Sequence, residues 1–404
     1  MQQHSNDGME RADVTYVVGT KETEAQMELL RPLPIFSKES KDFLAALAER
    51  ILSDAEAKAY PDVVTLGFWC RPASLRQMEK PYVGERNRLG RGIAFHVAPA
   101  NVAVNFAYSC LAAFLAGNAS IVRLPSKDFP QVRILCRLVS EVLQEYPALL
   151  PYFLFVRYGH EPAINVRYSS LCQTRVVWGG DATIAAVRRA PLAPRAREIP
   201  FADRYSLVVI DADACLAADR ARIAQAFYRD TYQSDQNACT APHFVVWLGK
   251  AARVEAAQEA FWGALHECLK TCYALQPVQA VAKLAALYRL GACTEARKAP
   301  MPDNLITRVH VRVLPEVLPD CKVGSGFFIE YAARDLAEIR PLCTRACQTL
   351  SYYGVPRETL LDAVLSMRPA GVDRIVPMGR TMDFALVWDG VDLVRAMSRV
   401  VSLV

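Results

Sequence analysis

One cysteine stands in a setting that suits a nucleophile. Cys239 lies in the polar stretch 234–242, directly before the apolar run 244–248. A thiol in a small polar loop that leads into a strand is typical of a covalent catalyst, because a core cysteine more often interrupts an apolar run. A nucleophilic cysteine must be partly thiolate, and a helix N-terminus or a nearby cation lowers its pKa. The sequence therefore predicts thioester chemistry at Cys239.

Three side chains are candidates to assist Cys239. His243 follows it by four residues and is a candidate base, with a strand-edge histidine as the alternative. Asp235 suits either an ion pair with a cation or a turn cap. Asn101 lies where an apolar strand gives way to a helix, so its amide is a candidate donor to an oxyanion. The alternative role of Asn101 is an Asx turn.

The composition is that of a globular protein. At 404 residues the chain is too long for one ordinary core, so we expect two domains. The net charge of +5 is mild and no dense Lys/Arg block occurs. This charge suits phosphate-bearing ligands, an acidic partner or an ordinary solvated surface, and it gives no indication of nucleic-acid binding.

The twelve cysteines predict neither disulfides nor a metal site. The first 30 residues lack the apolar core of a signal peptide. No C-x-x-C motif occurs, and no Cys/His pairs have the spacing of zinc ligands. We therefore expect free thiols in a reducing, cytoplasmic compartment, most of them in the core.

Residues 92–122 contain no Asp, Glu, Lys or Arg, a length that meets the simplest criterion for a transmembrane helix. Polar residues and a proline interrupt this run. A buried strand, a tight turn and a buried helix explain it better, so no transmembrane segment is predicted.

Strand and helix patterns alternate along most of the chain, which indicates right-handed crossovers and parallel sheets. Two such series meet near residue 205 and predict two α/β lobes. The predicted strands are residues 92–98, 119–124, 152–156, 175–178, 206–211, 244–248, 305–313, 326–331, 349–353 and 374–378. The predicted helices are residues 43–59, 102–116, 130–146, 217–232, 251–273 and 277–290.

A glycine pair marks a candidate nucleotide site. Gly179, Gly180 and Asp181 follow the strand that ends at Trp178 and open the next helix. An open α/β sheet binds a nucleotide at such a position. No G-x-G-x-x-G motif stands there, so a plain strand-to-helix turn is the alternative.

These segments, in this order, resemble the aldehyde dehydrogenase superfamily. There a strand followed by Pro-x-Asn supplies the oxyanion amide, and a Gly-Asn turn leads to a strand with a basic nucleotide-binding residue. A glycine turn holds the pyrophosphate, and the catalytic cysteine follows in the next domain. The matching residues here are Pro99, Asn101, Gly117, Asn118, Arg123, Gly179, Gly180 and Cys239. The implied fold has two Rossmann-like open parallel sheets, with the active site in the cleft between the two domains.

Five shorter segments narrow the resemblance to the LuxC family, the acyl-CoA reductases of bacterial bioluminescence. The segment 235–239 around the cysteine is the most specific of them. The others are residues 203–206, 348–354, 371–377 and 383–390. The resemblance runs from about Leu89 to the C-terminus, and residues 1–85 carry little of it.

The resemblance implies an enzyme that reduces a fatty-acyl thioester to the aldehyde. Cys239 would attack acyl-CoA or an acyl-carrier thioester, and Asn101 with the Cys239 backbone N–H would hold the oxyanion. CoA or phosphopantetheine would leave, and a nicotinamide hydride would reduce the acyl-cysteine. Two alternatives remain open: an aldehyde-oxidising dehydrogenase, CoA-acylating or not, and a non-catalytic scaffold that binds acyl partners.

One departure from the superfamily bears on the direction of reaction. Oxidising members carry a Glu-Leu-Gly-Gly segment whose glutamate activates the water that hydrolyses the acyl-cysteine. Counting back from residues 211–213 places this segment near residues 200–203, and no carboxylate occupies the glutamate position. Glu198 lies two residues earlier and is the reserve candidate. Without such a base, hydride transfer competes with hydrolysis, which suits a reductase.

Arg123 stands where the superfamily usually has a lysine beside the adenosine ribose. Arg123 and Lys127 suit a 2′-phosphate, and no acidic residue lies between them, so we expect NADPH rather than NADH. The residues assigned to the cofactor are Ala98, Pro99, Arg123, Pro125, Ser126, Lys127, Trp178, Gly179, Gly180 and Asp181.

The expected organisation follows from these assignments. Residues 1–85 form a partly helical segment that packs on the cofactor domain, residues 86–204 bind NADPH, and residues 205–372 carry Cys239. Residues 373–404 return to the cofactor domain, and residues 392–404 are a candidate oligomerisation strand. The expected partners are an acyl-carrier protein or an acyl-transferring enzyme and a second copy of the chain.

Overall fold

The computed structural model describes residues 14–159, 161–314 and 323–403, which divide into two compact units. The first unit takes in the chain up to Ala202 together with Phe384–Val387 and residues 391–403. The second takes in Asp203–Asp383, apart from its gap, and Trp388–Gly390. The predicted C-terminal segment 373–404 is therefore shared, because residues 373–383 and 388–390 belong to the second unit. Residues 1–13 of the predicted N-terminal segment and Val404 lie outside the described residues.

The first unit contains a six-stranded sheet with the order β1-β5-β4-β3-β6-β7, in which β1 is antiparallel to β5 and the other neighbours are parallel. The strands of this part of the chain are β1 (Thr15–Val18), β2 (Arg88–Gly90), β3 (Ile93–Val97), β4 (Ala119–Arg123), β5 (Phe153–Arg157), β6 (Thr174–Trp178) and β7 (Arg197–Phe201). The helices are α1 (Lys21–Met27), α2 (Lys38–Ser53), α3 (Pro61–Trp69), α4 (Pro72–Glu79), α5 (Asn105–Leu115), α6 (Pro130–Glu145), α7 (Pro162–Leu171) and α8 (Asp181–Arg188).

The uncharged run 92–122 forms β3, α5 and β4, as predicted. All eleven residues of α5 are buried, so its lack of charge reflects a core position. Asn118 ends the helix: its side chain accepts hydrogen bonds from the backbone N–H groups of Arg91 and Gly92 and donates to the carbonyl of Ala113. The Gly-Asn turn thus fixes where β4 begins. Within the described residues, no helix is long and apolar enough to cross a membrane.

The second unit contains a seven-stranded sheet with the order β10-β11-β12-β9-β8-β13-β14, parallel except for β10. Its strands are β8 (Tyr205–Asp211), β9 (Pro242–Leu248), β10 (Ala296–Lys298), β11 (Thr307–Val311), β12 (Phe327–Ala333), β13 (Cys347–Tyr353) and β14 (Arg374–Pro377). Its helices are α9 (Ala212–Ala217), α10 (Arg220–Asp230), α11 (Ala251–Cys272), α12 (Pro277–Cys293) and α13 (Arg357–Met367).

The predicted helix 217–232 is wrong in one respect, because the structure starts helix earlier and divides it into α9 and α10. Asp219 stands between them and accepts a hydrogen bond from the backbone N–H of Arg222, as an N-cap does. The predicted helix 43–59 is likewise displaced: α2 begins after Ser37, whose hydroxyl caps it through Ser40 N.

Both faces of the second sheet are buried, as a parallel sheet requires. Leu207 and Val209 of β8 pack in the core on one face, and Val208 and Ile210 pack on the other. Helices therefore cover both faces of this sheet. The predicted α/β class, with two open and mainly parallel sheets, is confirmed.

The tail contains β15 (Val387–Trp388), β16 (Val391–Asp392), α14 (Leu393–Met397) and β17 (Ser398–Val400). The prediction of one strand over residues 392–404 is wrong. A helix occupies its first half, and β17 pairs antiparallel with β2 of the same chain. Asn118 also donates a hydrogen bond to the carbonyl of Met397, so the tail is bound inside the first unit.

Candidate functional site

Most of the residues predicted to bind the cofactor lie at one edge of the first sheet. The neighbouring strands β4, β3 and β6 run parallel, so the loops that follow them meet at the carboxyl edge. These loops contain residues 124–127, residues 98–101 and residues 179–181. The backbone N–H of Ala98 also donates to the carbonyl of Arg123, which ties the first two loops together. Open α/β sheets bind ligands at this edge.

Arg123 ends β4 and remains partly exposed. Its guanidinium donates to the carbonyl of Gly159 and lies 4.6 Å from the ring centre of Tyr158. Ser126 and Lys127 are exposed beside it, and Pro125 is buried. The acidic residue that follows, Asp128, lies 3.9 Å from Arg133 and 4.0 Å from Arg157. The edge therefore presents more cationic than anionic side chains, which suits a phosphate group.

The glycine turn after β6 is crowded at Gly179 and open at Gly180. A Cβ atom at Gly179 would lie 3.0 Å from a methyl carbon of Thr183, whereas Gly180 has open space around it and caps α8. Asp181 is exposed at the first position of α8. Backbone N–H groups at a helix N-terminus suit a phosphate.

Trp178 occupies a core position despite its place among the assigned cofactor residues. Its ring stacks on Phe201 with centroids 3.8 Å apart, and its indole N–H donates to Ser109. The side chain is buried. Its contacts explain why a tryptophan stands there without a ligand, so only its backbone remains for a cofactor.

Asn101 is exposed in the loop between β3 and α5, preceded by the buried Pro99. It lies beside the loops that follow β4 and β6, so the first unit brings it together with the cofactor residues. The predicted partner of Asn101, Cys239, belongs to the second unit.

Glu198, the reserve carboxylate, lies in β7 and is held by two arginines. Its carboxylate accepts hydrogen bonds from Arg175 at 2.5 Å and from Arg188 at 2.6 Å. Arg175 is buried, and it lies directly opposite Glu198 in the β6–β7 ladder. The ion pairs satisfy a buried charge, which favours a structural role for Glu198 over a catalytic one.

The cysteine loop is anchored by two residues in left-handed backbone conformations, Asp235 (φ 52°) and Gln236 (φ 57°). The buried Gln236 amide makes four hydrogen bonds, donating to Pro242 O and Phe327 O and accepting from Gly326 N and Phe327 N. Non-glycine residues hold such a conformation only when their surroundings over-determine it. The loop that carries Cys239 is therefore fixed by its own sequence motif.

Asp235 ends the helical turn at residues 232–234, where its backbone N–H donates to the carbonyl of Tyr232. Its carboxylate accepts hydrogen bonds from the Tyr273 hydroxyl and from the Gln279 amide, the second at 2.7 Å. Its carbonyl accepts from Ser325 N. Of the two predicted roles, the structure shows the turn cap, and two neutral donors on neighbouring helical segments hold the carboxylate.

Cys239 lies at the amino edge of the second sheet, where the strand pairing is irregular. Ser206 of β8 faces an extra residue, His243, in β9, and the ladder between β8 and β13 also shifts at Ser206. The Ser206 hydroxyl donates to Cys239 O at 2.7 Å and accepts from Thr349 N at 3.2 Å. It thereby satisfies groups that the bulges leave without ladder partners. Bulges of this kind are common next to active sites, where they redirect side chains.

The thiol of Cys239 is strongly biased towards its protonated form. Burial and, second, the nearby charge of Asp389 raise its pKa to about 12, with a smaller effect in the same direction from Asp203. A hydrogen bond from Gln348 and the charge of Arg374 act in the opposite direction. At neutral pH the resting cysteine is therefore a thiol, and its use as a nucleophile requires a proton acceptor.

His243, the predicted base, is buried as the extra residue of the β9 bulge. Its role as the base stays a prediction.

Sequence reasoning missed Ser206, Gln348, Arg374 and Asp389 as site residues. The sequence did mark these four residues, because each lies in one of the segments that resemble the LuxC family. Gln348 and Asp389 are joined by a hydrogen bond, and the Arg374 guanidinium lies 4.3 Å from the ring centre of Trp388. The described residues contain no group of three or more His, Cys, Asp or Glu side chains that could hold a metal ion.

Solved structures with the same architecture are aldehyde dehydrogenases. The indole-3-acetaldehyde dehydrogenase AldA of P. syringae matches 95% of this chain and 87% of its own, with TM-score 0.67 and 13% identity. The lactaldehyde dehydrogenase of Escherichia coli matches 94% of this chain and 88% of its own, with TM-score 0.63 and 12% identity. Aldehyde dehydrogenase 21 of Physcomitrella patens matches 94% and 88%, with TM-score 0.66 and 11% identity. The fold is that of the aldehyde dehydrogenase superfamily.

Within that fold the sequence identifies a narrower group. Residues 35–282 match the family described as acyl-CoA reductase (LuxC), which is more than half of the chain. The protein therefore belongs to the LuxC family of acyl-CoA reductases and, with it, to the oxidoreductases of aldehyde chemistry. No functionally curated protein has detectable sequence similarity to the chain.

Proposed function

We propose that the protein is an NADPH-dependent reductase that converts a fatty-acyl thioester to the aldehyde through an acyl-Cys239 intermediate. The observation that carries the proposal is that the acyl-CoA reductase match spans both the carboxyl edge of the first sheet and the fixed loop of Cys239. CoA and the phosphopantetheine arm of an acyl-carrier protein present the same thioester chemistry.

The reaction begins when the Cys239 sulfur attacks the carbonyl carbon of the thioester. The carbonyl oxygen gains negative charge, and the Asn101 amide and the Cys239 backbone N–H are the donors that the family resemblance assigns to it. The bond to the CoA sulfur then breaks, and that sulfur leaves with the proton that Cys239 gave up. The product is an acyl group on Cys239.

Bound NADPH would supply the hydride for the acyl carbon of acyl-Cys239. The C–S bond of the resulting thiohemiacetal would then break, releasing the aldehyde, as the hydroxyl proton passes to the Cys239 sulfur. The residues of the first unit fit NADPH. Arg123 and Lys127 are the cations for the 2′-phosphate, and the N-terminus of α8 after Gly180 suits the pyrophosphate. Trp178 is excluded as a side-chain contact because it is stacked on Phe201.

The state of Glu198 supports the direction of reduction. A dehydrogenase that hydrolyses its acyl-cysteine needs a carboxylate to activate water, and Glu198 is occupied by Arg175 and Arg188. The acyl group on Cys239 then remains available for hydride transfer. We further propose a reducing, cytoplasmic setting and a homo-oligomer; in support of the first, seven of the described cysteines are buried free thiols.

The test is to incubate the protein with NADPH and a panel of acyl-CoA chain lengths, and to trap the aldehyde with a hydrazine reagent. We expect oxidation of NADPH and formation of aldehyde in equal amounts, and slower turnover with NADH. Aldehyde oxidation with NADP⁺ should require an added thiol acceptor such as CoA.

Two outcomes would contradict the proposal. Rapid aldehyde oxidation without any thiol would assign the protein to the hydrolytic aldehyde dehydrogenases. Absence of acyl-Cys239 by mass spectrometry of a folded sample, incubated with acyl-CoA and no cofactor, would exclude the covalent route and favour an acyl-binding scaffold.

A further inference from the structure

A carboxylate that the proposed chemistry has not yet used, that of Asp389, acts on the Cys239 thiol through its charge. Asp389 is 9% exposed and has a left-handed backbone, with φ of 49°. Strained backbone at a non-glycine residue persists where the surrounding structure enforces it, and it is frequent at active sites. The next residue, Gly390, also has a positive φ, and a Cβ there would lie 3.0 Å from an Asp373 oxygen. The chain is thus bent sharply to place Asp389.

A fully buried amide orients this carboxylate. Gln348 has no exposed surface, and its amide nitrogen donates a hydrogen bond to Asp389 Oδ1. The other oxygen, Oδ2, lies 4.0 Å from Arg204. Arg204 makes its close ion pair with Asp373 instead, at 2.8 Å. Two cations, Arg204 and Arg374, act on the charge of Asp389.

The strand that carries Gln348 is linked to Cys239 through Ser206. Ser206 bridges Cys239 O and Thr349 N, so the cysteine is one side chain away from the peptide that follows Gln348. Hydrogen bonding from Gln348 lowers the pKa of the Cys239 thiol, and the charge of Asp389 raises it. Thiol, amide and carboxylate form a single cluster within the second unit.

We propose that Asp389 is the general base that takes the proton of Cys239 as the sulfur attacks the thioester, and that Gln348 is the positioning residue that holds the carboxylate. This inference rests on the proposed function, because it assigns the proton of the same nucleophile. In the step, the S–H bond breaks while an O–H bond forms on Asp389 and a C–S bond forms to the acyl carbon. When the C–S bond to CoA breaks, the proton passes from Asp389 to the leaving sulfur.

The electrostatics favour this order of events. While Asp389 is ionised, its charge opposes a thiolate on Cys239; once it accepts the proton, the opposing charge disappears. Burial raises the pKa of Asp389, with Gln348, Arg204 and Arg374 acting against the rise and Asp373 with it. A raised pKa brings a carboxylate closer to the range in which a base is effective at neutral pH. Glu198 is held by two arginines, so it is not available for this role.

The first experiment uses the wild-type protein and compares two reactions of Cys239 at different pH. Acylation by acyl-CoA without cofactor and alkylation by iodoacetamide are both followed by mass spectrometry of the Cys239 peptide. Alkylation needs free thiolate, so its rate should rise about tenfold per pH unit between pH 7 and 9. Acylation assisted by an ionised Asp389 should stay nearly constant over that range. Acylation that rises in parallel with alkylation would overturn the inference.

The second experiment separates the base from a structural residue. In Asp389→Asn, acylation at pH 7 should fall about 100-fold or more, the usual contribution of a general base. Alkylation at the same pH should rise about 3- to 10-fold, because a like charge beside the thiolate has been removed. A structural role would lower both rates. Asp213→Asn, at an exposed residue paired with Arg253, is the matched control and should change neither.

Gln348→Ala should lower acylation less than Asp389→Asn, since the carboxylate remains but is no longer held.

The proposed function and the assignment of the base fail in different ways. If wild-type protein is not acylated, the proposed function fails; if wild type and Asp389→Asn are acylated equally fast, only the assignment of the base fails. The wild-type pH comparison decides the matter even if Asp389→Asn does not fold.

Discussion

The two sheets present their candidate site residues at opposite kinds of edge, and the two edges are built differently. The carboxyl edge of the first sheet is regular: β4, β3 and β6 pair without a shift in register, and short loops carry Arg123, Asn101 and Gly179. The amino edge of the second sheet is irregular, with register shifts on both sides of Ser206.

The two edges obtain their geometry in different ways. At the first edge, backbone amides and exposed cations suffice for a phosphate-bearing ligand, and parallel pairing alone brings them together. At the second, a thiol must be held among buried polar groups. It is held by residues in left-handed backbone conformations at positions 235, 236 and 389. Buried hydrogen bonds from Gln236 and Gln348 fix the same region.

The largest effect should come from removing the sulfur. Cys239→Ala should lower reduction of acyl-CoA by about 10⁴-fold or more, as loss of a covalent nucleophile does. Binding of NADPH, measured by its fluorescence, should be unchanged if the first edge is independent of the second. Loss of both would break the comparison. Cys272→Ala, at an exposed cysteine, is the control that should retain full activity.

The next effect tests whether the second edge is fixed by its buried amide. Gln236→Ala removes four hydrogen bonds and leaves Gly326 N, Phe327 N and two carbonyls without partners. We expect the free energy of unfolding to fall by about 3 kcal/mol, measured by urea titration. Gln233→Ala, at an exposed residue of the same loop, should change it little. Equal effects of the two substitutions would show that the loop is held by something else.

A smaller effect is expected at the first edge, where no buried network is lost. Arg123→Ala should weaken binding of NADPH about 10- to 30-fold, since a charged hydrogen bond to phosphate contributes about 1.5–2 kcal/mol. Binding of NADH should change much less, because it has no 2′-phosphate. A titration of each cofactor measures the ratio, and equal losses for both would remove the assignment to NADPH.

The smallest effect concerns a buried carboxylate in the second unit. Asp230 has no exposed surface and accepts hydrogen bonds from Gly379 N and Thr381 N. Burial, the largest cause, raises its pKa from 3.8 to about 6. The protonated form is therefore favoured by the fold, and this contribution is present below about pH 4 and lost as pH rises through 6.

We therefore expect the stability of the wild type relative to Asp230→Asn to decrease between pH 4 and pH 7, by about 1–2 kcal/mol. Urea unfolding of both proteins at several pH values measures it. A relative stability that increases with pH would mean that the two backbone donors outweigh burial.

Much of the fold could be predicted from the sequence, because the local hydrophobic patterns agree with the strands and helices of the structure. The uncharged run 92–122 had only one compact solution, and the Gly-Asn turn marked where α5 ends. The short strand β1 and the polar strand β7 were missed, because an edge position and the ion pair of Glu198 remove the apolar pattern that identifies a strand. The helix break at Asp219 was missed because it depends on one hydrogen bond, from Arg222 N to the Asp219 side chain.

Only part of the candidate site could be predicted from the sequence. Cys239 and the glycine turn have local signatures, but the residues around the sulfur come from four separate segments that meet through sheet pairing. Gln348 and Asp389 are 41 positions apart, and their hydrogen bond depends on a bend at Asp389 that no periodicity predicts. Trp178 was assigned to the cofactor from its position before the glycine turn, because the sequence does not show that its side chain is buried.

The route of the tail has a consequence for synthesis. Arg88 and Ser398, 310 positions apart, are joined by a hydrogen bond next to the β2–β17 pair, and Asn118 binds Met397. The first unit is thus completed by residues that are made after Asp203–Asp383, the main stretch of the second unit. The nearly continuous stretch Asp203–Asp383 gains most of its contacts earlier, which reverses the usual order in which N-terminal domains finish folding first. A ribosome that stops short of β17 therefore releases an incomplete first unit beside a nearly finished second one.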